Sequence, residues 1–258
     1  RHTRLVSEWS SDVCSSDLLI RDVSQRVKIE RVRRDFVANA SHELRSPLTV
    51  IMGYLDALVE DERLPVSWRQ PIGVMQDQAV RMRRLVEDLL QLSRLESGQP
   101  VSRERVVDVS ALIAAARKEA LALPDHPSTI DVDVQSPANL LGEETELQSV
   151  VSNLVANAVR YTPPDGRIAI RWSADAEGGH LAVQDTGIGI AEEDIPRVTE
   201  RFYRADGGRA RQRGGTGLGL AIVKYALRRH DAELEIQSQL GQGSLFVCHF
   251  PRDRLTVS

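Results

Sequence analysis

Aromatic residues, cysteines and long apolar runs are all scarce in this sequence, and each scarcity excludes a class of protein. Phe, Trp and Tyr make up 4% of the 258 residues, which argues against aromatic stacking platforms and a Trp-centred β-sandwich. Cys14 and Cys248 lie far apart without metal-ligand spacing, which excludes a disulfide scaffold and fits a reducing compartment. No apolar run reaches the roughly 18 residues that span a bilayer, so we expect this fragment to be soluble.

An excess of basic residues is also missing. Lys and Arg total 33 and Asp and Glu total 37, which gives a net charge of −4 and argues against a nucleic-acid partner. Hydrophobic residues at 41% and charged residues at 27% indicate a packed core rather than a disordered chain. The length predicts one large domain or two modest ones.

The first 19 residues differ from the rest of the chain. They show neither helical nor strand periodicity, and they lack the apolar segment of a signal peptide. Their Ser- and Asp-rich sequence is similar to translated sequencing-adapter sequence. We therefore predict that residues 1–19 are a disordered or artefactual tail without function.

Two long helices are predicted next. One apolar stripe has spacings of 4, 3, 4 and 3, and a second has spacings of 7, 3, 4 and 3; their members are Leu44, Leu48, Ile51, Leu55 and Leu58, then Met75, Met82, Leu85, Leu89 and Leu92. Ser67 is the expected N-cap of the second helix, which ends near Gly98. An isolated hairpin cannot bury both stripes, so we predict a homodimeric four-helix bundle. The alternative is a monomeric hairpin docked on the second domain.

Helices and strands alternate in the rest of the chain. This pattern predicts an α+β sandwich in which helices cover one face of a sheet. The predicted strands are Val106–Val109, Ile130–Val134, Ile168–Trp172, His180–Gln184, Glu233–Ser238 and Ser244–Phe250. The predicted helices are Ser110–Leu121, Glu144–Val159 and Gly217–Arg229.

A histidine on the first predicted helix is a candidate nucleophile. His42 lies outside the apolar stripe, and a neutral imidazole nitrogen is a good nucleophile. Glu43 is adjacent and can hold the other ring N–H, while Ser46 lies one turn later on the same face. Pro47 predicts a bend there. Taken alone, such a histidine is more often an ordinary surface residue.

The second region carries three groups of residues suited to a nucleotide. Asn153 and Asn157 share one helix face and can offer amide oxygens to Mg²⁺, although two hydrogen-bonded amides are an equally good explanation. Arg160 and Tyr161 follow and can meet phosphate and base. Asp185 ends a strand and can accept from an exocyclic amine.

Glycines complete this constellation. Gly187 and Gly189 after Asp185 would let the backbone approach a ring. The stretch Gly215-Thr216-Gly217-Leu218-Gly219 opens a helix and would present N–H groups to phosphates, without the Walker or Rossmann order. Before it lies a basic loop that predicts a mobile lid over a triphosphate, with Arg201, Arg204, Arg209, Arg211 and Arg213. A solvated basic loop is the alternative.

The order of these motifs resembles that of the sensor histidine kinases of two-component systems. His42 lies in what looks like the H box, Asn153–Asn157 the N box, Asp185–Gly189 and Gly215–Gly219 the glycine boxes, and Phe202 the F box. The resemblance covers residues 20–252. Within the family it is strongest to the phosphate-regulon sensors, through stretches such as Arg33–Asn39 and Ile195–Arg204.

The resemblance implies a fold, a reaction and roles. It implies a dimerisation and histidine-phosphotransfer hairpin, followed by a Bergerat-type (GHKL) ATP-binding sandwich. ATP would bind with Mg²⁺ held by Asn157 and assisted by Asn153, with Asp185 reading adenine. The γ-phosphoryl group would pass to His42, oriented by Glu43, and then to an aspartate of a response regulator. Ser46 would position water for the reverse dephosphorylation.

The remaining residues implied to contact the nucleotide lie in the same boxes. They are Arg160, Tyr161, Gly187, Gly189, Phe202, Arg204, Gly215, Thr216, Gly217, Leu218 and Gly219. Ser46 stands where the family usually has Thr, which puts the strength of phosphatase activity in doubt. His230-Asp231-Ala232 replaces a usual His-Gly-Gly turn, where Asp can adopt the left-handed conformation at some cost.

We expect five segments from the resemblance. They are a tail over 1–19, the end of a truncated PAS-like domain with a linker helix over 20–29, the phosphotransfer domain over 30–97, the ATPase domain over 98–252 and a tail over 253–258. The parent protein is expected at the cytoplasmic face of a bacterial inner membrane, with a phosphate-transport partner. Two alternatives are another ATPase of this fold and a degenerate kinase acting as a dimeric scaffold.

Overall fold

The structure is a computed structural model that describes residue 40 and residues 43–61, 63–97, 101, 105–123, 126–127, 129–205 and 215–256. The first element, α1, is helical over residues 43–60. A short loop leads into α2, Val66–Ser97. No helix within the described ranges is long and apolar enough to cross a membrane.

The two helices form the predicted antiparallel hairpin. Leu48 of α1 packs with Val86 and Leu90 of α2, and nearer the loop Leu55 packs with Ile72. These pairings bring the beginning of α1 beside the end of α2. The two apolar stripes are only partly buried in the single chain. The stripe residues that remain more than 40% exposed are Leu44, Ile51, Leu58, Met75 and Met82.

In the described residues after the hairpin, three α-helices, two sheets and a short 3-10 helix (Arg252–Arg254) are present. The helices are α3 (Val109–Leu121), α4 (Glu144–Tyr161) and α5 (Gly219–Arg229). The strands are β1 (Val106–Val107), β2 (Thr129–Val134), β3 (Asn139–Leu141), β4 (Arg167–Ala174), β5 (Gly178–Asp185), β6 (Glu233–Gln239), β7 (Gly243–Pro251) and β8 (Leu255–Thr256).

The larger sheet has the strand order β2-β4-β5-β7-β6, with β2 parallel to β4 and the other neighbours antiparallel. Alternate side chains of its strands turn toward the helices, as the period of two requires. Ile168, Ile170 and Trp172 of β4 are fully buried there, beside Val183 of β5. The α+β sandwich with helices on one face is therefore confirmed.

Several predicted boundaries are wrong for local reasons. Ser67 is not an N-cap, because α2 already begins at Val66 after Pro65. The strand predicted to reach Val109 ends at Val107, since Asp108 caps α3 and its carboxylate accepts from the Ala111 N–H at 3.1 Å.

The C-terminal residues correct a further expectation. Residues 253–256 are not a tail: β8 pairs with β3 in the small sheet β1-β3-β8, and Arg254 is 1% exposed. Its guanidinium donates to the Val101 carbonyl at 3.1 Å and to Asp231 at 2.8 Å. Asp231 has φ of 55°, which confirms that an aspartate adopts the left-handed turn where the family usually has Gly.

Candidate nucleotide-binding site

Helix α4 presents the two predicted asparagines on its polar side, opposite a buried apolar face. The Asn153 amide donates to the Ser149 carbonyl at 2.8 Å, which fixes the direction of its own oxygen. That oxygen faces Gly219 so closely that a Cβ there would lie 2.6 Å from it. Gly219 is therefore required by the fit of α5 against α4.

The second asparagine faces a cation. The Asn157 oxygen accepts from the Arg160 guanidinium at 3.4 Å. Burial lowers the pKa of Arg160 from its usual value, and the neighbouring Arg84 and Arg204 act in the same direction. An amide oxygen is the type of ligand that a hard cation such as Mg²⁺ takes, so Asn157 fits that ion once Arg160 turns away from its oxygen.

Asp185 lies at the end of β5 and is 5% exposed. Its Oδ1 accepts from the Gly187 N–H at 2.8 Å. Burial raises the pKa of this carboxyl, while hydrogen bonds from the Gly187 and Ser244 backbones lower it. One oxygen is thus held by the turn, and the carboxyl is positioned at the end of the central strand of the large sheet, where a base would approach.

The glycines after Asp185 are needed for steric reasons. A Cβ on Gly187 would lie 2.5 Å from the Tyr161 carbonyl, and one on Gly189 would lie 2.0 Å from the Gln239 carbonyl. Gly189 also has φ of +68°. Ile188 between them donates its N–H to the Tyr161 carbonyl at 3.2 Å. The turn after Asp185 therefore packs against both the end of α4 and the end of β6.

The predicted F box and second glycine box lie against each other. Arg204 donates to the Gly215 carbonyl at 2.8 Å, and the Phe202 N–H donates to the Gly217 carbonyl at 2.8 Å. Phe202 has φ of 62°, a strained conformation for an aromatic residue, and its side chain is 58% exposed. Leu218 is buried directly before α5.

Helix α2 also contacts this site, as in the alternative of a docked hairpin, although no sequence motif indicated the residues of the contact. The Thr216 hydroxyl donates to Asp88 Oδ2 at 2.7 Å, and the Gln91 amide donates to the Ser149 hydroxyl at 2.7 Å. Burial raises the pKa of Asp88, and the hydrogen bond from Thr216 opposes that shift. The amphipathic pattern of α2 is that of a bundle helix and gives no sign of this contact.

The same end of α2 carries an ion pair to the F box. Arg201 pairs with Glu96, and its guanidinium donates to the Tyr225 hydroxyl at 3.2 Å. Leu92 and Leu95 belong to the main hydrophobic core together with residues of α4 and α5. The hairpin and the sandwich therefore share packed side chains.

The predicted phosphoryl acceptor falls outside the described residues. His42 is not described, and neither are Arg209, Arg211 and Arg213 of the predicted lid. Glu43 and Ser46 both lie on α1 and are exposed to solvent. The geometry therefore brings together the nucleotide-contacting candidates but leaves their relation to the histidine as a prediction.

Two known families match successive parts of the chain. Residues 32–98 match the His Kinase A (phospho-acceptor) domain. Residues 142–254 match the family of histidine kinase-, DNA gyrase B- and HSP90-like ATPases. The match to the first domain covers the hairpin, and the match to the second covers most of the sandwich.

Individual relatives agree with these matches. The chain is 52% identical to the phosphate regulon sensor protein PhoR of Pseudomonas aeruginosa over 90% of this chain and 53% of that protein. It is 35% identical to PhoR of Haemophilus influenzae over 93% of this chain and 56% of that protein. The chain thus spans little more than half the length of these relatives.

A solved structure has a similar fold over most of the chain. Full-length ShkA in complex with AMPPNP superposes with a TM-score of 0.69 at 27% identity, covering 87% of this chain and 46% of that one. The match of the sandwich to an ATPase family, the match of the hairpin to the phospho-acceptor domain and the named relatives all indicate the same kind of protein. The chain therefore contains a His Kinase A (phospho-acceptor) domain followed by a histidine kinase-type ATPase domain, and it is similar to sensor histidine kinases of the PhoR type.

Proposed function

We propose that this chain transfers the γ-phosphoryl group of ATP to His42 and then to an aspartate of a response regulator. The observation that carries the proposal is the convergence around α4 of groups suited to a nucleotide. The Asn157 oxygen, the Arg160 and Arg204 guanidinium groups and the Gly215–Thr216 loop lie within one network of contacts. Such a site can hold a triphosphate by charge and by backbone N–H groups.

The base and the metal would be held at two ends of this network. Asp185 would accept from the adenine amino group, and Gly187 and Gly189 would hold the turn that keeps Asp185 in place beside the ring. Asn157 would hold Mg²⁺, assisted by Asn153. When bound, the ion would neutralise charge on the phosphates and align the transferred group. Tyr161, Phe202, Thr216, Gly217, Leu218 and Gly219 would line the same cleft.

At the acceptor, the residues of α1 would act on His42. Glu43 would orient the imidazole through one ring N–H and receive the proton as the other nitrogen attacks phosphorus. Arg160 and Arg204 would stabilise charge on the phosphate oxygens. Ser46 would position a water molecule when the regulator is dephosphorylated. As a serine it lacks the β-methyl group that fixes the threonine rotamer, so we expect weak phosphatase activity.

The partners and setting follow from the family and from the relatives named phosphate regulon sensors. We propose a homodimer that signals phosphate starvation to a transcription-factor response regulator. We also propose that the parent protein acts at the bacterial inner membrane, together with a membrane phosphate-transport partner. For the domains we keep the hairpin over 30–97, and we extend the ATPase domain from 98–252 to 98–256.

A pair of variants tests the assignment of the acceptor and the metal ligand. His42→Gln should incorporate no phosphate from γ-labelled ATP while binding ATP as the unmodified chain does. Asn157→Ala should lose Mg²⁺-dependent labelling, and Asn139→Ala, outside the site, should label normally. Label retained by His42→Gln would refute the acceptor, and normal turnover by Asn157→Ala would refute the ligand.

A further inference from the structure

Two histidines face each other on the side of the large sheet that the helices leave open. His180 of β5 and His249 of β7 are directly opposite in the antiparallel register. Their neighbours Leu181 and Cys248 are buried among the helices, so the two imidazoles project to the other side. The Nδ1 atoms are 2.9 Å apart. None of the nucleotide-contacting candidates belongs to this pair.

Each imidazole has a carboxylate at its other nitrogen. His249 Nε2 lies 2.8 Å from Glu235 Oε2, and His180 Nε2 lies 3.1 Å from Asp175 Oδ2. The position of Asp175 is fixed, because its Oδ1 accepts from the N–H groups of Glu177 and Gly178 at 2.8 and 3.2 Å. Hydrogen bonding from His180 lowers the pKa of Asp175, which keeps this carboxyl ionised.

These contacts favour ring protons on the outer nitrogens of the two imidazoles. His180 Nε2 is shielded from solvent, and a lone pair there would be repelled by the Asp175 carboxylate beside it. A metal ion bound at both Nδ1 atoms would place the ring protons on the two Nε2 atoms, where each faces a carboxylate. In that protonation state the two Nδ1 atoms, 2.9 Å apart, can both offer a lone pair to an ion that lies beside the line joining them. A proton shared between the two Nδ1 atoms is the competing occupant of this contact, and the titration below distinguishes it from a metal ion.

We propose that His180 and His249 are a two-histidine binding site for a divalent transition-metal ion, with Asp175 and Glu235 as the outer carboxylates. Metal-ligating histidines usually donate their second ring N–H to such a carboxylate. Two neutral imidazoles and two carboxylates carry a charge of −2, which a divalent ion balances and a single proton does not. The imidazole side chains are 20% and 39% exposed, so water can complete the coordination.

The spacing selects among metals. An ion at about 2.1 Å from both nitrogens subtends an angle of roughly 90°, as at adjacent positions of square-planar or octahedral Cu²⁺ and Ni²⁺. Among the residues that the structure covers, no three His, Cys, Asp or Glu side chains are grouped to hold a metal. The pair is therefore a two-ligand chelate on rigid strands, and Mg²⁺, which prefers oxygen, would not compete.

Titration of the full chain with NiCl₂ tests the proposal, using protein without a polyhistidine tag and with excess Mg²⁺ present. We expect one Ni²⁺ per chain at this site. His180→Gln and His249→Gln should each lose more than about 100-fold in affinity, and Glu235→Gln about 10-fold, the range known for outer carboxylates. His126→Gln, at a histidine far along the chain, is the matched control and should bind normally.

A spectroscopic measurement separates this site from other histidines. With Cu²⁺, the electron paramagnetic resonance spectrum should show two coordinated imidazole nitrogens in the unmodified chain and lose that signature in His249→Gln. Circular dichroism and ATP affinity should stay unchanged in every variant. Metal uptake by either histidine variant equal to that of the unmodified chain, or no saturable uptake because only a proton fills the gap, would overturn the proposal.

Discussion

At the scale of single residues, the glycine after Ile188 is fixed by two separate constraints. Gly189 has φ of +68°, and a Cβ would lie 2.0 Å from the Gln239 carbonyl. Gly241 has φ of +79°, yet a Cβ there would meet no atom within 4 Å. A substitution at either glycine would therefore strain the backbone, but only a substitution at Gly189 would also cause a steric clash.

Gly189→Ala and Gly241→Ala separate these effects. Gly241→Ala should lower the free energy of unfolding by about 1–2 kcal/mol, the cost of the left-handed conformation. Gly189→Ala should cost at least about 2 kcal/mol more, because the backbone around Gln239 must move, and it should weaken ATP binding. Urea unfolding measures both. Equal destabilisation by the two variants would contradict the clash.

His230 makes stability depend on pH. The side chain is 1% exposed; Nδ1 donates to the Ala226 carbonyl at 2.8 Å, and Nε2 accepts from the Glu143 N–H at 3.1 Å. Burial lowers the pKa of His230 below its usual 6.5, and the nearby charges of Arg254 and Arg229 lower it further. Hydrogen bonding to Ala226 and the charge of Glu146, 3.9 Å away, oppose this shift.

The fold therefore needs the neutral imidazole. Its contribution is complete above about pH 6.5 and is lost as the pH falls below that value toward the lowered pKa of the folded state. We expect the free energy of unfolding to fall as the pH is lowered from about 6.5 to about 5.5. His230→Gln should reduce that slope, and His126→Gln should keep it. An unchanged slope in His230→Gln would rule out this residue as its source.

At the scale of elements, the sequence predicts the long units well and the short ones poorly. The helices and the strands of the large sheet carry clear periodicity over several residues. Strands β3 and β8 have three and two residues, too few for any pattern, and both were missed. Their pairing depends on Arg254 and on contacts between distant parts of the chain.

The candidate site likewise has one part that the sequence predicts and another part that it does not. Local motifs predict the asparagines, Asp185 and the glycine turns, because their chemistry depends on residues a few positions apart. The contact of Asp88 with Thr216 joins residues 128 positions apart, and the positive φ of Phe202 depends on packing against Gly217. Neither leaves a signal in the local sequence.

The docking of α2 on the glycine loop predicts an effect on ATP binding. The Asp88 carboxylate accepts a hydrogen bond from the Thr216 hydroxyl and places negative charge beside the proposed phosphate site. Asp88→Asn should therefore bind ATP about tenfold more tightly, as expected for removing one nearby like charge. Glu87→Gln makes the same charge change at an exposed position of α2 and should have little effect. Displacement of a fluorescent ATP analogue measures the affinities; equal affinities for both variants would contradict the prediction.

At the scale of the whole molecule, the exposed stripe of the hairpin predicts a dimer. Leu44, Ile51 and Leu58 are 49%, 49% and 41% exposed in the single chain, which is unfavourable unless a second copy covers them. Ile51→Glu should shift the chain to monomers in analytical ultracentrifugation, because the charge would be buried in the bundle. Ala57→Glu, on the other side of α1, should remain dimeric. A dimeric Ile51→Glu would place the interface elsewhere.

The central claim is that this chain is an ATP-dependent histidine kinase whose acceptor is His42. The most direct measurement is the chemical stability of the phosphate that the chain incorporates from γ-labelled ATP in the presence of Mg²⁺. A phosphorus–nitrogen bond to imidazole hydrolyses in acid and survives in base. We predict label that is lost in acid, retained in base and absent from His42→Gln. Acid-stable label, as on serine, would contradict the account.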